Sequence, residues 1–314
     1  MDSKLNLHAE LSGLHILLTY QCNFECDHCF TWGSPWQSGT LSLDQIDLVL
    51  KQAAEIPSLR SIYFEGGEPF LYYPILLSAV QKAARAGYEV GLVSNAYWAL
   101  SDKDAIEWLR PFAGLLSDLS VSSDYFHYDE FLSSQAQNAC RGAQSLGIPC
   151  GVISIASADT AGILDQTGRL RPNPEGESTG VMYRGRAALK LSQQALHYSW
   201  DSFDNCPHEN LADPGRIHLD PLGYLHVCQG ITIGNLFERP LKDIWADFSP
   251  HTHPIIAPLL EGGPSELRRQ SGAACAGEFA DACHLCYSTR LEMRAQYPEL
   301  LAPAQMYGDY LTSR

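Results

Sequence analysis

The sequence predicts an α/β protein whose parallel sheet curls toward a barrel or partial barrel, followed by a smaller cysteine-rich domain. Three observations carry this. Short strand-like runs alternate with amphipathic helical stretches through the first 156 residues, polar and glycine-rich segments follow the strands, and the alternation stops after residue 200, where cysteines and turns take over. Strands separated by helices of about 10 to 15 residues require βα crossovers, which are right-handed and close a parallel sheet on itself. Active sites of such folds lie at the C-terminal strand ends.

The elements follow in order. Residues 15–20 (HILLTY) form a strand that runs directly into a loop with three cysteines. Ser42 with Gln45 is a capping-box pattern opening a helix, and Leu43, Ile46, Val49, Leu50 and Ala53 follow at helical spacing. Residues 61–64 (SIYF) are the second strand, ending in Glu65-Gly66-Gly67-Glu68-Pro69. A helix over 73–85 is closed by Gly87, and strand 89–93 leads to Ser94-Asn95. Ser101 with Asp104 starts a further helix. Strand 116–121 ends at Ser122-Ser123-Asp124, and a helix over 130–146 leads to strand 149–156. Residues 157–180 are polar and rich in Gly, Pro and Thr, the composition of a long loop or lid. The expected boundary lies near 190–205, giving domains 1–195 and 196–314.

Length and composition narrow the function. A chain of 314 residues exceeds the size at which one core stops growing, about 250–300 residues. With 45% hydrophobic and 18% charged residues it is an ordinary folded chain, and a formal net charge of −15 disfavours nucleic acid and anionic membrane as partners. The N-terminal stretch lacks the basic-then-apolar layout of a signal peptide, and no apolar run reaches the roughly 20 residues of a spanning helix. A cytoplasmic protein is expected. Its ten cysteines are then read as metal-binding or catalytic rather than disulfide-bonded.

Cys22-x3-Cys26-x2-Cys29 puts three soft thiolates on one loop, a donor set that can hold three irons of a cubane and leave the fourth open. A zinc site is the alternative, although no fourth ligand stands nearby apart from His28 inside the loop. LLTYQCNFECDHC, together with FEGGEP about 40 residues later, resembles the signature of the radical S-adenosylmethionine superfamily. The resemblance implies a partial (β/α)6 TIM-like barrel and a 4Fe–4S cluster whose open iron binds the methionyl amine and carboxylate of S-adenosylmethionine. Reductive cleavage then yields a 5′-deoxyadenosyl radical that abstracts a substrate hydrogen atom, using a low-potential electron donor of the flavodoxin or ferredoxin type.

Carried residue by residue, it places His28 beside the adenine, and Gly66, Gly67 and Glu68 at the amine. Ser94 and Asn95 lie at the third strand end, and Ser122 and Asp124 at the ribose. Arg186, with Arg184 beside it, is an arginine fork for the carboxylate. For each of these, a strand-end turn, a helix cap or a solvated loop arginine is the plain alternative. Asp124 and His127 crowd the fourth strand end and are the candidates for acid–base chemistry, or else simply hold that loop.

The second half carries Cys206, a hairpin turning at residues 221–223, Cys228, a helix near 241–245, and the pair Cys283-x2-Cys286. This resembles the SPASM/Twitch extension of the same superfamily, which implies one auxiliary 4Fe–4S cluster on Cys206, Cys228, Cys283 and Cys286, with zinc as the competitor. Cys275 is a substitute ligand or structural. Cys140 and Cys150 read as core residues, and His251 and His253 as a surface loop. The implied function is oxidation or modification of a peptide or small molecule assisted by the auxiliary cluster. The short stretch before Cys22 favours a small molecule, or a peptide recruited by other means. The alternatives are a non-oxidative radical enzyme, by bond formation or rearrangement, and a non-catalytic iron–sulfur or zinc protein on the same fold.

Overall fold

The computed structural model describes residues 10–128, 130, 132–156 and 178–309. Strands β1 (Gly13–Thr19), β2 (Ser61–Gly66), β3 (Glu89–Ser94), β4 (Asp118–Ser122), β5 (Cys150–Ala156) and β6 (Ser178–Gly180) lie side by side in sequence order, every pair parallel. Between them run α1 (Leu43–Ala53), α2 (Tyr73–Arg85), α3 (Asp102–Leu109) and α4 (Ser134–Ser145). This is the parallel α/β arrangement of a partial barrel. The polar stretch 157–177 lies outside the described residues.

Local chemistry sets the helix starts. Ser42 and Gln45 form the full capping box of α1. The helix expected from residue 130 begins only at Ser134, because Ser133 is its N-cap and accepts from the backbone N–H of Ala136 at 3.1 Å. Sheet alternation then divides the strands into two faces. Leu14, Ile16, Leu18, Ile62, Phe64, Val90, Leu92, Leu119 and Val121 are fully buried in one core with Ile46, Val49, Leu76, Val80, Leu109 and Ala139 of the helices. Burial of each large side chain is worth about 1.5–3 kcal/mol, so this face fixes the register. The other face carries His15, Leu17, Tyr63, Glu65, Val93 and Ser122, of which Leu17, Glu65, Val93 and Ser122 line the site.

The second half is α5 (Arg186–Lys190), β7 (Tyr198–Ser199), β8 (Arg216–Leu219), β9 (Tyr224–Cys228), β10 (Ile231–Asn235), α6 (Leu241–Asp247), α7 (Ile256–Gln270), β11 (Glu278–Phe279) and α8 (Ala282–Met293). The expected hairpin is β8–β9, with Asp220 Oδ1 accepting from the N–H of Leu222 and Tyr224 and Gly223 at φ +94°. It does not stand apart. β8 pairs in parallel with β1, so the sheet runs β10-β9-β8-β1-β2-β3-β4-β5-β6. Tyr20, beyond the end of β1, donates to Asp220 Oδ2 at 2.6 Å, and His226 Nε2 lies 3.1 Å from the same oxygen, all three residues fully buried. His253, expected on a surface loop, is buried: its Nδ1 accepts from the N–H of Ile255 and Ile256 at the start of α7, and its Nε2 lies 3.0 Å from the Thr232 carbonyl. No described helix is long and apolar enough to cross a membrane.

Candidate active site

At the C-terminal ends of β1–β5 lies a cavity of about 280 Å³, near the lower end of small-ligand sites at about 300 Å³. Cys22, Cys26, Cys29, His28, Gly66, Gly67, Ser94, Asn95, Ser122, Asp124, His127 and Arg184 line it. Two of the residues expected at the cofactor, Glu68 and Arg186, are missing from its walls.

The cysteine loop is held from several sides. Phe24 N–H points at Cys22 Sγ (3.4 Å), Asn95 Nδ2 donates to the same sulfur (3.7 Å), and Gly33 N–H points at Cys29 Sγ (3.2 Å). Gly67 sits so close that a Cβ there would lie 2.1 Å from the Gln21 carbonyl, one residue before Cys22. Only glycine admits this approach. Burial pushes the Cys22 thiol up to about 12, and Cys26 is raised for the same reason, with the neighbouring sulfurs adding to it. Three soft sulfurs on one wall, aided by N–H donors and ionising only when a cation compensates them, fit a cubane cluster. Among the described residues His28 groups with Asp124 and His127 rather than with these sulfurs. One of its ring nitrogens lies within 4.8 Å of donor atoms of Asp124 and His127, and its ring packs on Phe126 at 4.7 Å. Burial lowers His28 to about 4.

Glu68 and Arg186 depart from the expectation of direct cofactor contact. Glu68 is fully buried and turns into the protein, accepting from Phe70 N–H (3.0 Å), Ser94 Oγ (3.0 Å) and Asn95 N–H (2.8 Å). A buried carboxylate needs donors, and the end of β3 supplies them. The Glu68 side chain therefore ties β2 to β3 beneath the cavity. Arg186 donates to the carbonyls of Cys26 (2.7 Å) and Gly33 (2.9 Å), with its guanidinium over Trp32 at 5.4 Å. It closes the cysteine loop. Arg184 lines the cavity instead, its guanidinium 5.3 Å from the Phe30 ring centroid.

Asp124 is fully buried and accepts from Phe126 N–H, His127 N–H and Ile155 N–H, with His127 Nδ1 at 2.8 Å. Burial alone would raise its carboxyl, but these bonds and the two histidines hold it below the usual range. Asp124 thus orders the loop after β4 and orients His127 in the cavity wall.

A second cleft is lined by Cys206, Cys228, Cys283 and Cys286, with Arg184 and Arg290. Cys283 and Cys286 stand three residues apart near the start of α8 and so share a face. Burial pushes Cys286 up to about 11 and raises Cys206 and Cys283. Arg184 Nη1 reaches Cys228 Sγ at 3.3 Å, so one side chain belongs to both cavities. That link was not legible in the sequence, where Arg184 is one of two arginines two residues apart. His208, Asp281 and Cys283 also bring donor atoms within 4.8 Å of one another. Cys275 is exposed and absent from the lining. Cys140 and Cys150 are partly buried against the main core.

Residues 16–145 match the family model described as the Radical SAM superfamily. A Bacillus subtilis protein named for peptide biosynthesis, YydG, is 27% identical over 202 residues, covering 61% of this chain and 63% of its own. The cofactor-modifying protein of the tungsten-containing aldehyde ferredoxin oxidoreductase of Pyrococcus furiosus is 29% identical over 123 residues, 39% of this chain and 32% of its own. The chain thus spans less than two thirds of either relative. Among solved structures, native anSMEcpe with bound AdoMet and Cp18Cys peptide superposes with a TM-score of 0.52 at 12% identity, covering 96% of this chain and 99% of that one. The strand-end cavity, the three thiols in its wall and the matched model agree: residues 16–145 are a radical S-adenosylmethionine domain, of the superfamily whose cofactors are a 4Fe–4S cluster and S-adenosylmethionine.

Proposed function

We propose that this chain is a radical enzyme that modifies a peptide by hydrogen-atom abstraction, with Cys22, Cys26 and Cys29 holding the catalytic 4Fe–4S cluster. One observation carries the reading: the three thiols and the polar strand ends open onto a single cavity. When bound and reduced, the cluster supplies the electron that cleaves S-adenosylmethionine to methionine and a 5′-deoxyadenosyl radical. The protein's own residues bind, orient and shield. Gly66 and Gly67 bring bare backbone to the cavity wall for the methionyl group. Ser94 and Asn95, whose polar atoms are bonded to Glu68, Cys22 and their neighbours, hold that wall in shape. Ser122 faces the ribose, and His28 offers a neutral ring for the adenine. Glu68 and Arg186 act by positioning, the first through β3 and the second through the cysteine loop.

His127 lines the cavity and is oriented through Nδ1 by Asp124 at 2.8 Å, so we assign the acid–base role to it with Asp124 as its support. Cys206, Cys228, Cys283 and Cys286 supply a closed four-sulfur set, which fits an auxiliary 4Fe–4S cluster. A peptide is favoured over a free small molecule by the likeness to a protein of peptide biosynthesis and to a fold solved with a peptide bound. We place the partial barrel at 1–195 and the auxiliary region at 196–314.

The test is anaerobic. Dithionite-reduced protein is expected to release 5′-deoxyadenosine from S-adenosylmethionine, and Cys26→Ala to release none. With the cognate peptide deuterated at its reacting position, deuterium is expected in the 5′-deoxyadenosine. Cleavage that proceeds equally in Cys26→Ala overturns the cluster assignment.

A further inference from the structure

The inner face of the sheet carries a cluster that the radical chemistry does not use. His15 on β1 stands in register with His218 on β8 and with Tyr63 on β2, and Glu65 lies one inward position further along β2, opposite Leu17. Strand pairing therefore brings two imidazoles and one carboxylate together on three adjacent strands, which the sequence scatters over some 200 residues.

The distances distinguish two uses of such a trio. Glu65 Oε2 is 3.5 Å from His15 Nδ1, and Glu65 Oε1 is 3.4 Å from His218 Nε2. Imidazole–carboxylate hydrogen bonds run about 2.7–3.2 Å, shorter when charged. Both contacts exceed that range, and His15 Nδ1 is buried with no hydrogen-bond partner. By contrast, an ion with ligand bonds of about 2.1 Å in a tetrahedral shell sets its donor atoms about 3.4 Å apart. All three donor atoms lie within 4.8 Å of one another. Packing keeps the donors in place: the Tyr63 ring stacks on His15 at 4.8 Å and 12°. A Cβ at Gly91 would meet that ring at 2.2 Å, so Gly91 leaves the room Tyr63 needs.

We propose that His15 Nδ1, Glu65 and His218 Nε2 bind one divalent transition-metal ion of the zinc or cobalt class in the floor of the barrel. Two imidazoles and one carboxylate form a donor set common to such ions, and three protein ligands leave a fourth position for water or a substrate oxygen. Of the three, Glu65 is in the cavity wall, so the site adjoins the cavity through its carboxylate. A carboxylate or hydroxyl of the substrate is the chemistry it would anchor. None of the three residues is a cysteine, so this site stands or falls independently of the iron–sulfur assignments.

The test uses Co²⁺ and protein whose clusters have been reconstituted anaerobically, so that the cysteines are already engaged. Equilibrium dialysis is expected to leave about one cobalt per chain with visible d–d bands and no thiolate charge-transfer band. In His15→Gln and Glu65→Gln, each checked for unchanged iron content, affinity is expected to fall roughly tenfold or more. Wild-type protein that retains no cobalt overturns the site whatever the variants do. So does retention that is undiminished in either variant with its iron intact, or a spectrum dominated by thiolate-to-cobalt transitions.

Discussion

Replacing Arg186 by Met tests whether the cysteine loop is held shut from outside the cavity. The aliphatic stem survives, so most packing is kept while the guanidinium is lost. Its two bonds, 2.7 Å to the Cys26 carbonyl and 2.9 Å to the Gly33 carbonyl, are charge-assisted and buried. The Gly33 carbonyl left without this donor costs about 1–3 kcal/mol. The Cys26 carbonyl keeps the Cys29 N–H at 3.1 Å but loses a charge-assisted bond worth about 1.5–3 kcal/mol, and the lost contact over Trp32 adds about 0.5–1 kcal/mol. The expected loss is therefore ~3–5 kcal/mol. For a chain of this size that lowers the thermal midpoint by roughly 10 °C, read by scanning fluorimetry of the metal-free protein at one fixed scan rate. Iron incorporated at the Cys22–Cys29 loop after anaerobic reconstitution is expected to fall in parallel. Arg186→Lys should sit between, since an ammonium cannot span both carbonyls as a fork does. A Met variant that melts within about 2 °C of wild type and takes up full iron refutes the clamp, and with it the reason for setting Arg186 apart from the cofactor.

Three further outcomes follow from the same geometry. Gly67→Ala forces a Cβ to within 2.1 Å of the Gln21 carbonyl and is expected to displace the loop, cutting incorporated iron by roughly half or more, as measured by iron and sulfide assay. Burial holds the Glu68 carboxyl up to about 7 against its hydrogen bonds, so the folded state keeps a proton that the unfolded chain has released. That stability is present in acid and disappears as pH rises through about 7. Between pH 6 and 8 wild type should lose about 1.4 kcal/mol relative to Glu68→Gln, and a pH-independent difference in urea midpoints excludes it. Cys228→Ser should remove about four irons per chain and spare the signal of the first cluster, whereas Cys275→Ser should remove none.

Most of the architecture was legible because strong local signals and the tertiary fold agree. Ser42 with Gln45, Ser101 with Asp104, and the apolar spacing of α1 and α2 each point to the element that forms. The cysteine loop and the two glycines were legible because their chemistry is local. What escaped depends on side-chain direction. Glu68 and Glu65 are three residues apart in one motif, yet the first turns into the protein and the second into the cavity wall. Arg184 and Arg186 similarly divide, one between the two cavities and one behind the cysteine loop. His253 reads as a loop residue among prolines and proves to cap a helix start. His15 and His218 carry no motif at all. Only the parallel pairing of β1 with β8 makes them neighbours.

That pairing has a consequence for anyone dividing the protein. A fragment ending near residue 195 would strip the partner from β1 and leave a raw row of amide and carbonyl groups beside Leu14 and Ile16, an invitation to intermolecular strand addition. It would also orphan the Tyr20 hydroxyl by removing Asp220. The two halves of the chain should accordingly melt as one cooperative unit, and an amino-terminal piece expressed alone should precipitate rather than retain half the activity.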